Sequence, residues 1–169
     1  MYPPDPTPAA PKEARGPRLP RPLALPLGLL PDSLHSRVLT VLLNRALAGP
    51  LQDGELDFLY RRVLAIRVRD AAVAVHLTLG EHGLQPAPAV PAADLAIEAS
   101  VYDFLRLLGQ QEDPDTLVFQ RRLVMQGDTE LGLELKNFLD GLDVDSLGLY
   151  RQLAPLLRRL LPVYRRVFR

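Results

Sequence analysis

Hydrophobic positions change their spacing several times along this chain of 169 residues, and each change marks an expected element. After Pro31, the cap-type residues Asp32 and Ser33 precede Leu34, Val38, Val41, Leu42 and Leu47 at helical spacing, until Gly49-Pro50 ends the run. Alternation of period two then takes over. Ile66 and Val68 stand against Arg67 and Arg69, and Val73, Val75, Leu77 and Leu79 stand against Ala72, Ala74, His76 and Thr78. Two such runs around Arg69-Asp70-Ala71 predict a hairpin. Further extended pieces follow at 83–87 and 94–99. Ser100 opens a second helix, with Asp103 at the capping-box spacing and Val101, Phe104, Leu105 and Leu108 as its expected buried stripe, ending at Gly109. The stretch 112–115 is a turn or cap, 116–122 a short helical turn, and 123–127 a last strand. At Gly127-Asp128 the period switches once more, into a helix carrying Leu131, Leu135, Phe138 and Leu139. The order predicts an antiparallel or mixed sheet with helices on one side.

Proline and charge divide the chain into three. Ten of the 17 prolines lie in residues 1–31, a density that blocks regular structure and predicts a flexible arm. Residues 32–143 hold 10 basic and 17 acidic side chains, whereas residues 144–169 hold six arginines and one aspartate. In that tail Tyr150, Leu153, Leu157, Leu160, Leu161, Tyr164 and Phe168 share one helical face and Arg151, Arg158, Arg165 and Arg169 the other. Such an amphipathic helical extension suits an anionic membrane interface, or equally the acidic domain beside it.

The overall charge balance of 20 against 20 gives no reason to expect nucleic-acid binding. With no cysteine, a disulfide framework, a thiolate-bound metal and a thiol nucleophile are excluded. The N-terminus lacks the pattern of a secretory signal, and no apolar run approaches the ~20 residues of a transmembrane helix, so a cytoplasmic protein is expected. His76, His82 and Glu81 lack a recognised ligand spacing and are expected to be surface groups flanking a turn. No nucleophile elbow, phosphate-binding glycine loop or opposed carboxylate pair is present, so neither catalytic residues, a metal nor a cofactor is assigned. What stands out is apolar supply: Phe104, Leu108, Phe119, Leu123, Met125, Leu131, Leu135 and Phe138 either fill a core or line a lipid cavity.

Three blocks, "DGELDFLYRRVLAIRVRD" (53–70), "ADLAIEASVYDFLRLL" (93–108) and "EDPDTLVFQRRLVMQGDTELGLELKNFLD" (112–140), resemble the sterol carrier domain family, and within it the bacterial ubiquinone-biosynthesis accessory branch. The resemblance covers about residues 32–143. It implies an α+β fold with a five-stranded sheet and helices enclosing an apolar pocket, with those eight residues as its lining. It also implies a non-catalytic role in the oxygen-independent route to ubiquinone. The partners would be ubiquinone or its prenylated precursors, or phospholipid, and the hydroxylase proteins UbiU and UbiV. On that view Arg158, Arg159, Arg165 and Arg166 would meet the membrane, placing the protein peripherally on the inner membrane. A ligand-free scaffold and a general phospholipid carrier are the alternatives. Tyr60-Arg61 departs from the family pattern, which has an acidic residue and glycine there.

Overall fold

The computed structural model describes residues 32–88, 92–142 and the isolated position 162. The arm 1–31 and all of the tail but Pro162 lie outside the described residues, and with them the four arginines expected to meet a membrane. Two strands, β1 (Leu64–Val68) and β2 (Val73–Gly80), form the expected hairpin, paired antiparallel from Leu64↔Leu77 to Val68↔Val73. β3 (Gly83–Pro86) returns along β2, and β4 (Leu95–Ala99) lies parallel to β1 on its other side. β5 (Val124–Gly127) closes the sheet antiparallel to β4, giving the order β3-β2-β1-β4-β5. The sheet is therefore five-stranded and mixed.

Directly paired residues share a face of a sheet. Leu64 and Ile66 thus stand with Leu77, Val75, Leu95 and Ile97, and with Leu79, Leu84 and Met125 from the outer pairs. This face joins one apolar cluster that also takes Leu47, Leu56, Leu59, Leu117, Leu123, Leu131 and Leu135. The other face is smaller and more polar: Ala65 and Ala96 are buried there, and so is His76, only 6% exposed rather than at the surface as its turn-flanking position suggests.

The first helix, α1 (Asp32–Ala46), departs most from expectation. Leu34, Val38, Val41 and Leu42 are all exposed, Val41 by 66%, while Ser36 and Thr40 are buried. The reason is what α1 packs against. Asn44 donates from Nδ2 to the Leu84 carbonyl and accepts the Leu84 N–H at Oδ1, both at 2.8 Å, pairing with edge strand β3 as a neighbouring strand would. Ser36 Oγ accepts the His76 N–H at 3.1 Å. Unpaired strand edges are liabilities in water and need hydrogen bonds when covered, so the helix turns Ser36, Thr40 and Asn44 inward beside Leu39, Leu43 and Ala46, which pack against the apolar cluster. Nor does Gly49-Pro50 end the helical run: both lie in α2 (Ala48–Gln52), where Pro50 sits in the first turn and lacks only an N–H that has no intrahelical partner. A 3-10 turn at Asp57–Leu59 then leads to Arg61, whose φ of 58° is one that glycine adopts freely, as the family pattern at that position anticipates.

Beyond the sheet, α3 (Val101–Leu108) has Ser100 as its cap, accepting from the Asp103 N–H. Its expected stripe is only half-buried, and the fully buried side chains are Tyr102 and Asp103. Asp103 is drawn inward by Arg122, which binds it through Nε at 2.8 Å and through Nη2. The Arg122 Nη1 reaches both oxygens of Glu112, at 3.0 and 2.8 Å, and Glu112 also pairs with Arg106 at 3.2 Å. Two cations and two carboxylates thus join α3, the 109–113 loop and the approach to β5, next to α4 (Pro114–Phe119), which Asp113 caps.

Gly127 and Asp128 make the joint between β5 and the last helix, α5 (Thr129–Gly141). Gly127 has φ 123°, and a Cβ there would stand 2.3 Å from the Asp94 carbonyl oxygen. That same oxygen accepts the Asp128 N–H at 2.8 Å, while Asp128 Oδ1 caps α5 by accepting from Glu130 and Leu131. The Asp94 carboxylate in turn accepts the Val63 N–H at 2.7 Å and Arg62 Nη1 at 3.1 Å.

We expect Gly127→Ala to destabilise the fold by more than about 1 kcal/mol, through its backbone conformation and the collision with Asp94 together, read as a Tm lowered by several degrees. Urea titration of Arg122→Ala should show a loss of roughly 3–5 kcal/mol, because Asp103 is left buried without its cation and Glu112 keeps only Arg106. Asp94 gives a pH signature. The Val63 N–H, and after it Arg62, hold its carboxyl below the ordinary value of 3.8. The stability this contributes is present above that value and is lost as pH falls through the folded-state pKa. Stability measured by urea midpoint should therefore decline less steeply below about pH 4 in Asp94→Asn than in the parent chain.

Candidate functional site

The eight apolar positions expected to line a cavity separate into three groups. Leu123, Leu131 and Leu135 are fully buried in the core cluster, Leu123 at 1% exposure. Phe104, Met125 and Phe138 are half-buried and packed against that cluster, in the company of Phe58, Leu107, Leu139 and Leu142. The Phe58 and Phe138 rings lie 6.3 Å apart at an angle of 53°, a tilted aromatic pair. These six are thus brought onto one apolar interior, whose outer layer is formed of mobile Leu and Met side chains and of Phe rings.

Leu108 and Phe119 are not brought there. Phe119 is 91% exposed, because the inward positions of the six-residue α4 are Pro114 and Leu117, and a residue two places beyond Leu117 points the other way. Leu108, 48% exposed, is the last residue of α3, a helix whose orientation is set by the Asp103–Arg122 pair rather than by its apolar stripe. Neither belongs to the lining of an enclosed pocket.

A concavity elsewhere on the fold was not anticipated from the sequence. A cleft of about 890 Å³ opens between α1, α2 and the turn joining β2 to β3. Leu51 and Leu79 form its apolar part, and Tyr60 lines it as its one aromatic side chain. Gly80 and Gly83 bring bare backbone to it; at Gly83, with φ 115°, a Cβ would come within 2.7 Å of Asn44 Oδ1 and disturb the amide that holds the sheet edge. Gln52, Asp57, Glu81 and His82 supply polar atoms, and no Lys or Arg lines it. The guanidinium of Arg61 stacks over the Tyr60 ring, 5.3 Å from its centre. The sequence marks this region only by the glycine pair enclosing Glu81-His82 and by the departure at Tyr60-Arg61, neither of which specifies a cleft.

Among the described residues no three His, Asp or Glu side chains group as a metal site. None of their helices is long and apolar enough to cross a membrane.

Comparison with known proteins agrees with this architecture. Residues 42–140 match the SCP-2 sterol transfer family. The chain is 39% identical over 125 residues to the ubiquinone biosynthesis accessory factor UbiT of Escherichia coli strain K12, covering 74% of this chain and 71% of that protein. The solved structure of a UbiJ-SCP2 ubiquinone synthesis protein superposes with a TM-score of 0.51 at 21% identity, over 63% of this chain and 94% of that one, a likeness of fold. Sterol carrier protein 2 of Yarrowia lipolytica in its apo form gives a TM-score of 0.44 at 16% identity, over 66% and 94% of the two chains. The five-stranded mixed sheet, the helices that cover its apolar face and the family match over both establish that the chain belongs to the SCP-2 sterol transfer family.

Proposed function

We propose that the protein is a non-catalytic, lipid-binding accessory factor of ubiquinone biosynthesis. It holds a prenylated quinone precursor, or a phospholipid, by its apolar chain and presents the head group to hydroxylases of the UbiU and UbiV kind in the oxygen-independent route. The observation that carries this reading is that the family match spans every one of the eight apolar positions, in a chain 39% identical to an accessory factor of that biosynthesis. Physical chemistry supports it. Each buried methylene is worth about 0.8 kcal/mol, so a long isoprenoid chain leaves a bilayer only for surroundings nearly as apolar. The half-buried layer of Phe104, Met125 and Phe138 over a core of Leu123, Leu131 and Leu135 supplies flexible and aromatic side chains that can part and re-pack around such a chain. Arg158, Arg159, Arg165 and Arg166 would bring the protein to the anionic inner-membrane surface from the cytoplasmic side, where the lipid is collected.

Native mass spectrometry of the protein purified from its own host should show a bound prenylated quinone precursor or phospholipid. Uptake from anionic vesicles should saturate. Met125→Asp, which sets a carboxylate in the half-buried layer, should lower that uptake at least tenfold with the fold retained, and replacing the six tail arginines should slow it at low salt. A protein that carries no lipid and takes up neither class would instead be a scaffold.

A further inference from the structure

We infer that the cleft between α1, α2 and the β2–β3 turn is a head-group site that takes a hydroxyl-bearing aromatic ring, a phenol or hydroquinone, in preference to the corresponding quinone. The inference rests on the carrier reading above and adds to it the identity and redox state of the ring.

The volume of about 890 Å³ suits a small-molecule site, for which about 300–1,000 Å³ is usual. Its lining decides the chemistry. No Lys or Arg is among its lining residues, and the two carboxylates there, Asp57 and Glu81, oppose a phosphate head group. Among the described residues the carboxylates of Asp57 and Glu81 make no ion pair or side-chain hydrogen bond, and so are free to accept. An ionised carboxylate only accepts hydrogen bonds. A phenolic hydroxyl donates to it, whereas a quinone offers only carbonyl oxygens, which two carboxylates repel. Tyr60 provides an aromatic wall beside the backbone of Gly80 and Gly83, whose Cβ directions are taken by Gln85 and Asn44. Leu51 and Leu79 line the cleft and also belong to the apolar interior, Leu79 within the core and Leu51 packed against it. A ring in the cleft therefore adjoins the surroundings that an isoprenoid tail requires.

The test uses the full chain, labelled with nitrogen-15, and a dimethoxy-methyl hydroquinone that lacks an isoprenoid tail, kept reduced, beside the same compound oxidised. The hydroquinone should shift the amides of Gln52, Tyr60 and Glu81 to Gly83 saturably, and the quinone should bind about tenfold more weakly, the difference that one hydrogen bond to a charged acceptor makes. Asp57→Asn with Glu81→Gln should abolish the preference while the amide spectrum away from the cleft stays as in the parent chain. Equal binding of both redox forms, no saturable shift, or shifts that map away from the cleft would overturn the inference. Absence of long-chain uptake in the parent chain would instead overturn the carrier reading, and leaves ring binding measurable by the same titration.

Discussion

Asp94 stands where three segments of chain meet, and the geometry of the apolar interior depends on it. Its carboxylate takes the Val63 N–H at the start of β1, and its carbonyl takes the Asp128 N–H at the start of α5. The backbone of Gly127 passes so close to that carbonyl that no side chain fits between them. β5 and α5 are consequently held at a fixed angle to β4. Met125 from the strand and Leu131 and Leu135 from the helix then face the same cluster as Leu95 and Ile97. Hydrophobic burial is nondirectional and cannot by itself choose that angle. Two hydrogen bonds and one missing Cβ choose it.

A comparable constraint at the opposite edge explains why part of the fold was legible in the sequence and part was not. The β1–β2 hairpin, the caps at Ser100 and Asp128 and the break at Gly127 follow from spacing of two or 3.6 residues and from side chains that bond to the next turn, all of them local signals. The facing of α1 is not local. Its apolar positions predict which side is buried only if its neighbour is apolar, and its neighbour is the edge of a sheet. Ser36, Thr40 and Asn44 therefore share the inward face with Leu39 and Leu43, and Leu34, Val38, Val41 and Leu42 are left outside.

The same reasoning accounts for the candidate site. Six of the eight apolar positions fall on one interior because they lie on β5, on α5 and in the segments packed against them, where periodicity and burial agree. Leu108 and Phe119 fall outside because α3 and α4 are short and anchored by polar groups: the Asp103–Arg122 pair in one, the Asp113 cap in the other. In a helix of one or two turns, one buried ion pair or cap sets the rotation against a modest apolar stripe. Arg122 gave no sign of this in the sequence, since it sits in a run of two arginines of which its neighbour Arg121 is exposed.

The cleft was illegible for a different reason: its lining comes from α1, α2, the Asp57–Tyr60 turn and the β2–β3 turn, four segments that no spacing rule connects. What joins them is again the sheet edge. Asn44 holds α1 against Leu84, and Tyr60 bridges to Leu79, so the residues on either side of β2 and β3 are fixed with a gap between them. A prenylated ring has two ends with opposed needs, a tail that must avoid water and a head that must reach a partner enzyme. An apolar interior answers the first need alone. The proposed head-group cleft, which shares Leu51 and Leu79 with that interior, would answer the second. Asn44, the one α1 residue in the lining of the cleft, is on this view what lets an edge-covering helix reach a head-group site.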